Sequence, residues 1–153
     1  MRTMLQLGTY RSLSAVLILV IGLSGCAPKG DALYTRAEQS LAKGNVQAAV
    51  IDLKNLLQDE PQNAQARALL GRALVASGDA DAGAIELQKA KELGAPRSLT
   101  LVPDCQVMVA HGEYERVLAE CQPEVGDAAD KADLRLVLGS ASMILRRRRV
   151  RLK

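Results

Sequence analysis

Apolar residues along the chain recur every three or four positions. Val46, Ala49, Val50, Leu53, Leu56 and Leu57 follow the i, i+3, i+4, i+7 rule of a helix buried on one side, and Leu33, Ala37, Ser40 and Leu41 share one face of a helix before it. Between such stretches stand Gly44, Gly78 and Gly112, separated by one constant interval. A second landmark keeps the same period: Leu70-Gly71 returns as Leu138-Gly139 after two repeats. The pattern predicts antiparallel helix pairs over about 31–43 with 46–58, 64–77 with 80–93, and 104–111 with 114–121. The expected fold class is all-α, a solenoid of about three helix–turn–helix units over 30–145 plus the first helix of a fourth, its core a row of helix–helix contacts.

Local chemistry marks the boundaries. Asn45 and Asp79 stand where N-caps are needed, Gly94 where a helix leaves through a left-handed residue, and Pro61 just beyond a helix it stops. Gly71 and Gly83 sit in mid-helix, where glycine costs about 1 kcal/mol against alanine, so a close helix crossing is the expected reason for both. Pro103 falls inside the third unit and predicts a helix beginning near it, with proline in the first turn. In the fourth unit Leu134, Leu138, Gly139 and Ser142 keep the pattern, but the next turn glycine is due at 146, which is arginine. A first helix without its second leaves Leu134, Leu138, Met143 and Leu145 uncovered. That break is the expectation for a truncated or frame-shifted member of a longer array. Residues 146–153 are expected to be a basic disordered tail, with phosphate binding as the alternative.

Composition supports the helical reading, with no Trp or Phe and only Tyr10, Tyr34 and Tyr114. The formal charge of +3 conceals a division: residues 26–145 hold 12 basic against 17 acidic residues, while the last eight residues carry six cations. The amino end reads as a targeting segment. Arg2 and Arg11 precede an apolar run, Leu13 to Leu23, that is short for a membrane span. The run ends on Leu23-Ser24-Gly25-Cys26, which resembles the lipobox of bacterial lipoproteins. That resemblance implies a signal peptide over 1–25, lipidation (palmitate included) of Cys26 and a tether over 26–30. Ala27 after the cysteine implies an outer-membrane position facing the periplasm. An uncleaved anchor helix is the alternative. Each buried CH₂ of an acyl chain holds a protein to a bilayer by about 0.8 kcal/mol.

Catalytic chemistry is not legible. His111 is the lone histidine, beside a turn and without ligand spacing around it; no phosphate loop or nucleophile–base pair is present. The expectation is no enzyme, no metal, no cofactor and no nucleic-acid partner. Asp and Glu read as solvated helix faces. Cys105 and Cys121 lie sixteen apart and, in an exported protein, are either a disulfide or two small buried side chains.

The punctuation Gly44…Ala49…Leu53…Pro61, then Leu70-Gly71…Gly78-Asp79, resembles the tetratricopeptide repeat family. The phrases Ile51-Asp52-Leu53-Lys54-Asn55-Leu56-Leu57 and Asn63-Ala64-Gln65-Ala66-Arg67-Ala68-Leu69-Leu70-Gly71, behind a lipobox, are similar to the repeat lipoproteins of PEP-CTERM/exosortase systems. That resemblance implies a non-enzymatic, membrane-anchored scaffold for protein–protein interaction, working with surface-protein sorting and exopolysaccharide production. An assembly or secretion lipoprotein of another system is the alternative. The family register places a partner-binding groove on Tyr34 and Glu38, on Gln65, Arg72 and Val75, and on Gln106. Ser40, Arg67 and Pro103 depart from the family pattern.

Overall fold

The computed structural model describes residues 29–122 and 128–151, which form seven helices and no strand. They are α1 (Lys29–Ala42), α2 (Val46–Asp59), α3 (Ala64–Ala76), α4 (Ala80–Glu92), α5 (Arg97–Ala110), α6 (Tyr114–Glu120) and α7 (Ala128–Arg151). Each helix packs on the next, and α1, α3, α5 and α7 also touch in sequence, so the odd-numbered helices form one continuous row. The even-numbered helices make no such contacts with one another and lie as separate ribs on the other side. The fold is an all-α solenoid of the tetratricopeptide type. The expected signal peptide and its lipidation site, Cys26, lie outside the described residues.

The turns explain the constant repeat period. Gly44, Gly78 and Gly112 adopt φ of 76°, 92° and 76°, a left-handed conformation that side chains with a Cβ rarely adopt. At each, two backbone bonds close the preceding helix: Gly44 N–H to Leu41 O and Asn45 N–H to Ser40 O, at 2.9 and 2.8 Å in the first unit, with the same pair at the other two. This Schellman closure satisfies carbonyls that the helix leaves without partners and reverses the chain in two residues. Asp79 then caps α4, accepting from the Ala82 N–H at 3.1 Å. Asn45 does not cap α2. The side-chain cap on the amide side belongs to Asn63, which accepts from Ala66 N–H at 2.9 Å and starts α3.

The core follows the helical stripes. Ala37, Ala49, Val50, Leu53, Leu56, Ala66, Leu69, Leu70 and Ala73 form one buried cluster. Leu101, Val102, Cys105, Val117, Cys121, Leu134, Val137 and Ala141 form a second. Between them the α3–α4 pair is drawn together by its glycines. A Cβ on Gly71 would stand 3.1 Å from the Gly83 carbonyl and 2.6 Å from Leu87 Cγ; one on Gly83 would stand 3.0 Å from the Gly71 carbonyl.

Three boundaries differ from the sequence reading. The first helix begins earlier, because Lys29 and Gly30, expected in the tether, already belong to α1. The third unit begins earlier: α5 starts at Arg97 after an extended Pro96 (ψ 142°), leaving Pro103 buried at the seventh helical position. An interior proline costs about 3 kcal/mol; buried Leu101, Val102, Cys105 and Val107 on the same helix offset it. Last, the expected tail over 146–153 is helical as far as Arg151. Arginine is a good helix former, and cations at a helix C-terminus complement its dipole. Arg148 also lies over the Tyr114 ring, 5.2 Å from its centroid. Nor is the fourth unit's apolar stripe uncovered throughout. Leu134 is wholly buried against the third unit, while Met143, further along and half a turn round, is 57% exposed.

Candidate functional site

The row of odd-numbered helices forms a concave surface with a cleft of about 180 Å³. Four of the six groove residues expected from the sequence line it: Tyr34 and Glu38 from α1, and Gln65 and Arg72 from α3. Tyr34, Ala68 and Val102 occupy one register position in successive repeats, and all three face this cleft. Tyr34 is half-buried while Glu38, Gln65 and Arg72 are exposed. Burial pushes the Tyr34 phenol above its ordinary value, with Glu38 adding to the effect and Arg72 opposing it. At neutral pH the cleft therefore presents a neutral hydroxyl between one anion and one cation. Such a surface suits an extended peptide held by hydrogen bonds and a charge pair.

Two expected residues lie elsewhere. Val75 packs into the α3–α4 crossing, its Cγ2 2.6 Å from where a Gly83 Cβ would be. A side chain used to close a helix pair is not free for a partner. Gln106, although in register with Glu38 and Arg72, is not among the lining residues. Its place is taken by Ser98, Leu99, Val102 and Pro103. Sequence reasoning missed these because it began the third helix near Pro103; Pro96, a residue common where helices start, was the legible signal for an earlier one.

The ribs carry a second pattern that the sequence reading dismissed as solvated acid. Asp52, Glu86 and Glu120 recur at the repeat period, on α2, α4 and α6. Asp52 is buried and receives two hydrogen bonds from Arg36 of α1, Nε to Oδ2 at 2.7 Å and Nη2 to Oδ1 at 2.5 Å. This guanidinium fork holds the Asp52 carboxyl below the ordinary value against the opposing effect of burial. Glu86 is met by Arg67 of α3 at 2.7 Å and by Lys89 at 2.8 Å. Burial pushes Glu86 up, but the bonds from Lys89 and Arg67 outweigh it and its pKa is lowered. Arg67 also donates to the Pro61 carbonyl from Nε and Nη2, at 3.0 and 2.6 Å. A polar residue at that family position thus ties a helix pair to the preceding turn. On α6, Glu120 is held by Arg116 of its own helix and lowered mainly by that hydrogen bond.

The third unit has a covalent version of the same joint. Cys105 and Cys121 form a disulfide with Cα atoms 6.0 Å apart. They stand one period after Gly71 and Leu87, the pair in contact at the α3–α4 crossing. A larger cleft of about 440 Å³ opens beside them between α4, α5 and α6. Several of its charges are paired, Lys91 with Asp104 at 3.1 Å and Arg116 with Glu113 and Glu120, while Arg97 donates to the Glu120 carbonyl at 3.3 Å and His111 Nε2 meets Asp81, outside the cleft, at 2.9 Å. His111 is thus a helix-end residue bridging two units. Among the described residues no group of His, Cys, Asp and Glu has the arrangement of a metal site.

The closures at Gly44 and Gly78 and the small-residue crossing of α3 with α4 lie together in one stretch of the chain. The family model for the tetratricopeptide repeat matches residues 40–97. That match covers the last turn of α1, all of α2, α3 and α4, and the entry to α5. No curated protein matches the chain. Tetratricopeptide repeats are characteristically scaffolds for protein–protein contact, and the row of odd-numbered helices is the surface this segment shares with the units on either side. Among the described residues no helix is long and apolar enough to cross a membrane.

Proposed function

We propose that this chain is a non-enzymatic scaffold that holds an extended segment of a partner protein in the concave cleft, at a membrane to which it is anchored through lipid on Cys26. One observation carries the binding half: Tyr34, Glu38, Gln65 and Arg72, from equivalent helices of two successive repeats, line a single cleft. The anchoring half rests on Leu23-Ser24-Gly25-Cys26 behind a charged and apolar leader. The position of choice is the outer membrane, facing the periplasm. Within that reading, the wording of residues 51–57 and 63–71 favours a role in PEP-CTERM/exosortase sorting and exopolysaccharide production over an assembly or secretion lipoprotein of another system.

The test uses a random array of extended peptides. Peptides selected by the wild type should bind Arg72→Ala with Tyr34→Ala at least tenfold more weakly, with helicity and melting temperature unaltered. Lys54→Ala with Gln47→Ala, on exposed positions of α2, should bind as the wild type does. Equal losses in both pairs, or none in the first, would place binding on another surface. For the anchor, labelled palmitate should enter the wild type and not Cys26→Ser; label retained in the variant would remove lipidation at Cys26 from the proposal.

A further inference from the structure

Among the described residues, no helix packs on the outward side of α7 as α4 packs on α3. Gly139 follows Gly71 by two periods. At Gly71 a Cβ would collide with Leu87 and the Gly83 carbonyl of α4; at Gly139 it would meet nothing within 4 Å. Met143 is likewise two periods after Val75, which packs on Gly83, yet Met143 is 57% exposed. Leu136 (73%) and Val150 (71%) continue the line, one on each side of Met143 and two helical turns from it, a spacing that holds one helical face. This face is distinct from the buried stripe of Leu134, Val137 and Ala141. It is a notch at Gly139 with large apolar side chains along the same line, the counterpart of the α3 surface that receives α4.

Charge selects the occupant. Arg135, Arg146, Arg147 and Arg151 are exposed along α7. Two such faces brought together would set these cations against one another, which disfavours a second copy. A bilayer would accept the cations but has no use for a notch one Cβ deep. We propose that this face docks an acidic amphipathic helix of a partner, with a small residue over Gly139 and a leucine-sized residue four positions on, as Gly83 and Leu87 stand in α4. The inference is independent of the concave cleft, which lies along the row of odd-numbered helices.

The probe is a stapled helical peptide with the α4 sequence, residues 80–92, carrying Lys89→Glu and Lys91→Glu. It should bind the full chain saturably by fluorescence anisotropy. Gly139→Leu should weaken binding at least tenfold, as should Arg146→Glu with Arg147→Glu; a peptide with Gly83→Leu should bind as poorly. Gly139 is exposed with open space around it, so circular dichroism of Gly139→Leu should match the wild type. Arg72→Ala with Tyr34→Ala should leave this binding intact. The proposal fails if the peptide does not bind, or binds Gly139→Leu as well as the wild type. It fails also if sedimentation shows self-association that Gly139→Leu abolishes, which identifies a second copy. Affinity for phosphatidylglycerol vesicles that falls with the arginine changes but ignores Gly139→Leu, without peptide binding, identifies a lipid surface instead.

Discussion

Asp52 shows how much one buried residue depends on its partner. Its carboxylate is covered by α1 and α2 and satisfied by the Arg36 fork. Arg36, by contrast, keeps a side chain 62% exposed, so on losing Asp52 it returns to water rather than remaining a buried charge. Asp52→Asn should therefore cost about 1.5–2 kcal/mol, the lower part of the range for charged hydrogen bonds. The sign of the pH effect follows from the depressed pKa. Stability from Asp52 is fully present above the unfolded value of about 3.9 and is lost as pH falls through the lower folded value. Acid unfolding curves of wild type and Asp52→Asn should converge in that window and stay parallel above about pH 5. Gly71 is constrained by space instead of charge. Gly71→Leu should destabilise by about 1–3 kcal/mol or more, through overpacking against Leu87 and the Gly83 backbone. An unchanged melting temperature would show that the α3–α4 crossing can open without cost.

Among the elements, the third unit is built differently from the second although its period is the same. α6 spans only 7 residues, against 13 for α4. A helix that short has little area with which to hold its partner. The Cys105–Cys121 bond joins α5 to the residue ending α6, across the register pair that in the second unit is the Gly71–Leu87 contact. Closing a loop of this length stabilises by about 3 kcal/mol in the chain-entropy account. Reduction, or Cys105→Ala with Cys121→Ala, should lower the melting temperature accordingly. Amide exchange should rise first in α6 and in the part of α7 that packs on it. Exchange rising evenly along the array would mean that α6 is held by its apolar contacts alone.

At the scale of the molecule, contacts run between neighbours and nothing joins the first unit directly to the last among the described residues. Stability in such an array is a sum of unit and interface contributions, so damage should decay with distance. Leu53 is wholly buried in the first cluster. Leu53→Ala should cost about 2–5 kcal/mol, with exchange protection lost across α1 to α3 and largely retained in α5 to α7. Equal loss at both ends would mean that the two clusters unfold as one through α4.

The helical class, the repeat period and the turns were legible in the sequence because each rests on local chemistry. Only glycine enters the left-handed turn cheaply, and a stripe at helical spacing encodes its own buried face. Four residues that reading named, Tyr34, Glu38, Gln65 and Arg72, line one cleft, since residues one period apart in a solenoid share a surface. What it missed depended on partners distant along the chain. Whether Val75 faces a groove or a neighbouring helix is decided by Gly83, which lets the two backbones approach. Whether Asp52 is solvated acid or a buried joint is decided by Arg36, on the preceding helix. The start of α5 and the helical course of 146–151 were misread because Pro103 and the arginine run were judged by local rules, whereas apolar packing offsets the proline and good helix formers carry α7 onward past Leu145. Sequence alone determined the repeating unit; tertiary structure decided which faces the units use on one another, and so which remain for a partner, because burial belongs to a pair of surfaces and not to either strip of sequence.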